Sequence, residues 1–209
     1  EVLDANGDLA NAAALVDFVD KHELTVGRVT DLVDYRLNHY RTVDLIRSGA
    51  ITMRHGDFTL SVYQESTQGH VHMALSVGDI GMDTPTLVRV HTTASMRDLL
   101  SVTSAEQVSW SIQDSLSRVA AEESGVVVLI NKEETDADLL AQVDAVLGAD
   151  LPDDPQQRSV GYSQVGMGAQ ILRDLGVGKI RLMGTPVKYN ALEGFGLEVV
   201  EFVEPGAVA

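Results

Sequence analysis

Histidines and carboxylates are the side chains from which this sequence would build a reactive or metal-binding site, because it contains no cysteine. Disulfides and thiolate metal sites are excluded whatever the compartment. His70 and His72 lie two apart in a run where Val71, Met73 and Leu75 alternate. Alternate residues of a strand share a face, so the pair has a geometry that permits a metal, with His91 on a nearby strand. The plainer reading is a partly exposed histidine pair where a sheet face meets solvent or a dimer partner, and no metal or cofactor is expected. Between Glu133 and Asp154 the chain carries Glu134, Asp136, Asp138, Asp144, Asp150 and Asp153 without one basic residue. This run reads as a solvated acidic face. It is a poor neighbour for phosphate, since each like charge about 4 Å away costs about 1 kcal/mol even at high dielectric.

Two glycine pairs invite nucleotide readings and fail them. Gly166-Met-Gly168 lacks a dinucleotide fingerprint, because Ile171 stands where the third glycine belongs. Gly178-Lys179-Ile180 is not a phosphate loop, because Arg173 replaces the first glycine and no Ser or Thr follows the lysine. Both pairs read better as a helix start and a helix stop.

The elements that must position these residues follow from periodicity. In Val165–Met183, Ala169, Ile171, Leu172 and Leu175 recur at helical spacing after Gly166 and Gly168. Gly176 then ends the helix, and Ile180, Leu182 and Met183 form a short buried strand broken by Gly184-Thr-Pro. A second step leads from Leu192–Gly196 into a strand at Leu197–Val203. Upstream, Phe58, Leu60 and Val62 alternate, Glu65–Gly69 is a hairpin loop, and Leu87–His91 is a further strand. Ser109–Glu123 reads as an amphipathic helix feeding a buried strand at Gly125–Ile130, and Ala137–Leu147 as another helix. Strands first, then alternating helices and strands, predict an α/β domain with a mixed sheet and flanking helices. Residues 42–56 read as a junction without a flexible linker.

The chain has 209 residues and a net charge of −16, which argues against a nucleic-acid partner. No apolar run approaches the length that crosses a membrane, and there is no charged-then-apolar leader, so a cytoplasmic location is expected. The first residue is not Met, which suggests a piece of a longer protein.

Four words, TLVRVH (86–91), GAQILRDLGV (168–177), IRLM (180–183) and LEGFGLEVVE (192–201), resemble GTP cyclohydrolase II, the zinc enzyme that opens the imidazole ring of GTP. The resemblance implies that fold for residues 43–209, and a homodimer. It also implies a zinc held by three cysteines, at positions where this chain has Ala94, Glu106 and Val108. The family's arginine-rich phosphate loop falls on Asn131–Thr135, and its aspartate-x-arginine-x-aromatic motif on Gly161, Ser163 and Val165. Its threonine-asparagine-asparagine-proline loop has shrunk to Gly184–Pro186. Arg89, His91, Glu133 and Lys188 remain as a vestigial nucleotide pocket. Arg89 reads equally as a structural ion pair, and Lys188 as a surface lysine.

Residues 1–42 resemble the end of 3,4-dihydroxy-2-butanone 4-phosphate synthase through NGDLA (6–10) and TVGRVTDLVDYR (25–36). That enzyme is often fused ahead of GTP cyclohydrolase II, so the expected partner is a synthase domain on the same polypeptide. Here a terminal strand-helix segment of it precedes the main domain. Asp8 is expected to cap a helix carrying Leu9, Ala13, Val16 and Val19, and Thr30 a second one through Leu32, Val33 and Tyr35. Glu1 matches a magnesium-binding, proton-moving glutamate of the synthase, but its partners would lie before residue 1. Three functional readings follow: a degenerate domain supporting the synthase, an active cyclohydrolase with an unusual metal set, or a purine- or flavin-phosphate binding module.

Overall fold

The computed structural model describes residues 2–3, 7–27, 32, 35–36, 39–67, 69–102, 110–148, 155–184, 192 and 194–205. The chain divides into two compact units, Glu1–Arg36 and Leu37–Ala209. In the first, a bridge joins Leu3 to Leu9 and helix α1 spans Ala12–Lys21. Its cap is Asn11 rather than Asp8: the Asn11 side chain accepts from the Ala14 N–H at 3.0 Å. Leu9 is held in the bridge and so precedes the helix. Leu15, Val16 and Phe18 of α1 are exposed, a helix face with apolar residues left uncovered. Thr30 and Val33 lie outside the described residues.

The second unit is a seven-stranded mixed sheet in the order β1-β2-β3-β5-β4-β6-β7. The strands are β1 Val43–Met53, β2 Gly56–Glu65, β3 Val71–Gly78, β4 Pro85–Thr92, β5 Ser124–Ile130, β6 Lys179–Met183 and β7 Glu198–Val203. Strands β1, β2, β3 and β5 pair antiparallel, and β5, β4, β6 and β7 pair parallel. The helices are α2 Ser95–Asp98, α3 Ile112–Ala120, α4 Asp136–Leu147 and α5 Pro155–Asp174. The expected α/β class with a mixed sheet and flanking helices is what the chain forms. No helix among the described residues is long and apolar enough to cross a membrane.

Both faces of the sheet are covered. Val43, Tyr63, Ala74, Val88, Val128 and Ile130 pack under α5, while Phe58, Leu75, Leu87, Val127 and Met183 pack with Trp110, Leu116 and Val119 on the side of α3. Strand β5 is buried on both sides, with Val126, Val127 and Val128 fully inaccessible. Each such valine contributes roughly 1.5–3 kcal/mol, which is why a continuous apolar run, not an alternating one, marks this strand.

Three sequence readings change. Residues 42–56 are not a junction, because most of them form β1, the longest strand. A bulge at Leu45/Arg47 breaks its alternation, and Asp44–Ala50 are all exposed, so neither face writes a period into the sequence. The helix expected to start at Gly166 instead runs unbroken from Pro155 to Asp174. Gly168 lies in close approach to β4: a Cβ there would sit 3.0 Å from Val90 Cγ1, which would have to give by a few tenths of an ångström. Helix α3 is shorter than Ser109–Glu123, because the Ser111 hydroxyl accepts from the Asp114 N–H at 3.1 Å and starts the helix there.

Two left-handed glycines separate strain from clash. At Gly148 (φ 73°) nothing lies within 4 Å of an added Cβ, whereas at Gly78 (φ 72°) it would meet the Glu123 carbonyl oxygen at 1.6 Å. Gly148→Ala is expected to cost about 1 kcal/mol, the left-handed penalty alone. Gly78→Ala must also displace the start of β5 and is expected to cost roughly 3 kcal/mol or more in urea unfolding. Equal costs at the two positions would contradict this packing.

Candidate functional site

Parallel strands present ligand sites at their carboxyl ends, and β4 ends at Thr92 beside the end of β5. Arg89 and His91 lie on the α3 face of β4. Arg89 donates from Nη1 to the Met183 carbonyl at 2.8 Å. His91 is fully buried. Its partner is Asp98, the last residue of α2, with Nε2 to Oδ2 at 3.0 Å.

Asp98 is the hub of this corner. Oδ2 also accepts from the Ala94 N–H at 2.9 Å and from Arg97 Nη2 at 2.9 Å. Oδ1 accepts from the Ile112 N–H at 3.1 Å and from Arg97 Nε at 3.1 Å. Arg97 Nη2 reaches the Thr92 carbonyl at 2.6 Å as well. Burial alone would raise the Asp98 pKa, but the Arg97, Ala94 and His91 hydrogen bonds outweigh it and hold the carboxyl well below the usual range. An ionised carboxylate only accepts, so His91 carries its proton on Nε2. Desolvation pushes His91 down to about 4, against the pull of Asp98. His91 is therefore neutral and sealed, a clamp and not a base with access to substrate. Its Nδ1 has no hydrogen-bond partner among the described residues.

The loop Asn131–Thr135, where the resemblance puts phosphate binding, is spent on internal bonds. The Asn131 N–H donates to His72 Nδ1 at 3.2 Å, and Lys132 pairs with Asp138 at 3.0 Å. Hydrogen bonds from Gln142 and then Ser95 lower the pKa of Glu134. Glu134 accepts from the Ser95 N–H at 3.0 Å and from the Ser95 hydroxyl, so it caps α2, whose own cap residue Ala94 has no side chain to do so. Glu133 is exposed.

The structure thus brings Arg89 and His91 together on one face and leaves Glu133 outside. Glu1 and Lys188 lie outside the described residues, as do Glu106, Val108, Thr185 and Pro186. Gly161 and Ser163 fall within the α5 backbone. Asp98, Arg97, Glu134 and Gln142 were missed. A Ser95-x-x-Asp98 pattern after the β4 strand was the available signal.

The zinc that the resemblance implies does not fit these residues. Ala94 has no ligand atom in its side chain, and its N–H is given to Asp98. Among the described residues no group of three or more His, Cys, Asp or Glu is placed to hold a metal. The histidine alternative fails on geometry. His91 pairs with Leu129, which pairs with Met73, so His91 shares a sheet face with Met73. His72, one residue away, faces α5 on the other side, and His70 precedes β3. A cleft of about 420 Å³ opens elsewhere in this unit, among His39, Tyr40, Arg41, Arg173, Asp174 and Phe195. Its charges are internally matched in part: Asp174 pairs with Arg41 at 3.1 Å and accepts from the Tyr63 hydroxyl at 3.0 Å. None of the expected site residues lines it.

Comparison with known proteins places residues 45–204 on the family model of GTP cyclohydrolase II. A 3,4-dihydroxy-2-butanone 4-phosphate synthase of Pseudomonas aeruginosa is 41% identical over 203 residues, covering 97% of this chain and 54% of that protein. The riboflavin biosynthesis protein RibBA of Aquifex aeolicus is 33% identical, covering 97% of this chain and 52% of its own length. Among solved structures, RibBX of A. baumannii, a two-domain 3,4-dihydroxy-2-butanone 4-phosphate synthase, matches with a TM-score of 0.71 and 32% identity, over 99% of this chain and 53% of that one. The chain spans about half the length of the curated relatives it matches.

The clamp has a pH signature. His91 titrates near 4 when folded and at its ordinary value of 6.5 when unfolded, so between these values the unfolded chain binds more protons. Stability should therefore fall on acidification from pH 6.5 to 4, by up to about 1.4 kcal/mol per pH unit from this group. His72, also lowered by burial, adds in the same direction. Urea titrations across this window should show a shallower slope for His91→Gln, and an unchanged slope would contradict the assignment. Asp98→Asn, which strands Arg97 against a neutral group, should cost about 3 kcal/mol.

Proposed function

The chain belongs to the GTP cyclohydrolase II family, and we propose that it is a degenerate member, without cyclohydrolase activity, whose work is to support a 3,4-dihydroxy-2-butanone 4-phosphate synthase on the same polypeptide. The observation that carries the first half is Ala94. At the position assigned to the first zinc cysteine, a backbone N–H is bound to Asp98, and the whole chain offers no thiolate to hold zinc. A zinc-bound hydroxide is what would attack the purine ring, and no group of three or more His, Asp or Glu among the described residues is placed to hold one. The positions assigned to proton transfer hold Gly161 and Ser163, which cannot act as an acid-base pair near neutral pH. Arg89, the surviving cation of the pocket, donates to the Met183 carbonyl.

Support for the second half comes from the relatives. The proteins from Pseudomonas aeruginosa and A. baumannii carry the synthase name, and this chain matches about half of each. The uncovered apolar side chains of α1 suit a segment that completes a neighbouring sheet. On this reading residues 1–42 are the terminal strand-helix segment of the synthase, and the assembly is a homodimer.

Two experiments address these halves. Incubated with GTP, the purified chain should release neither formate nor pyrophosphate and should contain no stoichiometric zinc. Formate above a heat-killed control, or about one zinc per chain lost on mutating His70 and His72, would overturn the degenerate reading. In the complete polypeptide, truncation after Thr42 should lower the stability or change the oligomeric state of the synthase part. A truncated protein equal to the full-length one in activity, stability and assembly would remove the supporting role.

A further inference from the structure

The two edges of the sheet are built differently, and the difference points to where a second copy sits. Strand β7 is short, six residues, and carries carboxylates: Glu198 is exposed and Glu204 follows, while Glu201 between them is paired with Arg181 at 2.6 Å. Charges of one sign on an edge keep it from pairing with a copy of itself. Strand β1 has eleven residues and no proline, and from Leu45 to Gly56 there is no acidic residue at all. In a chain of net charge −16 that is the condition self-association requires, since any other acidic edge would add repulsion. Leu45 and Ile46 are 45% and 39% exposed, so apolar area lies on the same edge.

The register narrows this further. The bulge at Leu45/Arg47 protects one end of β1 only and leaves Arg47–Met53 paired regularly with β2. The centre of that regular run is Ala50. We propose that the β1 edge is the interface between two copies of this chain, with β1 pairing antiparallel to its mate about a two-fold axis at Ala50. Arg47 then stands opposite Met53, Ser48 opposite Thr52, and Gly49 opposite Ile51. No charge faces a like charge, and residues that share a face within one copy meet residues of the same face in the other. The seven strands continue into fourteen, and the outward N–H and C=O groups of β1 find partners. This rests on the homodimer reading above and adds its location.

The absence of native cysteine makes the test direct. Ala50→Cys places two thiols across the proposed axis, within the Cα separation that a disulfide accepts. Mild oxidation should give a covalent dimer, whereas Val200→Cys on β7 should stay uncrosslinked. In sedimentation equilibrium the unmodified chain should be dimeric, and Ala50→Glu should weaken the dimer at least about tenfold, with an unchanged circular dichroism spectrum. Val200→Glu should leave it intact. A dimer insensitive to Ala50→Glu and without the Ala50→Cys crosslink would overturn this interface while leaving the homodimer standing. A chain monomeric at all concentrations would overturn both. Crosslinking through Val200→Cys instead would move the interface to β7 and equally reject the proposal.

Discussion

The corner where β4 ends depends on one carboxylate. Asp98 gathers His91 from the strand, Ala94 from the loop, Arg97 from its own helix and Ile112 from the start of α3. Remove it and two backbone N–H groups and a guanidinium lose their acceptor at once. A buried carboxylate costs several kcal/mol of desolvation unless its lone pairs are filled, and here they are. A carboxylate saturated by donors has no lone pair to give a metal, and a histidine sealed behind it has no path to a substrate.

The same corner sets the loop after β5. Glu134 replaces a missing cap on α2, and Gln142 of α4 holds Glu134 in place while accepting from the Met96 N–H at 3.3 Å. The loop thereby ties α2 to α4 and spends its polar groups on the protein itself. Beneath it, His72 accepts the Asn131 N–H from the other side of the sheet. Two buried neutral histidines on opposite faces thus brace the ends of β4 and β5. Burial depresses both, so both are braces that acid weakens.

How much of this was legible depends on whether a residue's partner is near in sequence. The valine run of β5, the stop at Gly176 and the break after Met183 are local signals and read correctly. Strand β1 was missed because an exposed, bulged edge strand has no buried period to read. The extent of α5 was missed because Gly166 and Gly168 are poor helix formers, and only contact with Val90 explains the second of them. At the site, the loss of cysteine was plain from composition. The bonding of Asp98 and Glu134 was not: Asp98 meets His91, Ala94 and Arg97 nearby but closes on Ile112 14 residues away, and Glu134 reaches Ser95 across 39, and no period encodes such pairs.

The distribution of cations bears on how this unit could meet a polyanion. The chain has fifteen Lys and Arg against thirty-one Asp and Glu, so basic groups are the scarce species. Among the described residues Arg41, Arg97, Arg118, Lys132 and Arg181 each lie within 3.2 Å of a carboxylate. Arg181 holds two, Glu122 and Glu201, and they raise its pKa further. For any of these cations to bind phosphate, it would have to leave a partner already in contact. The carboxylate left behind would then repel the ligand, by about 4 kcal/mol at 4 Å for an effective dielectric constant of 20. A pocket for a polyanion needs cations in excess over their internal partners, and these five already hold theirs.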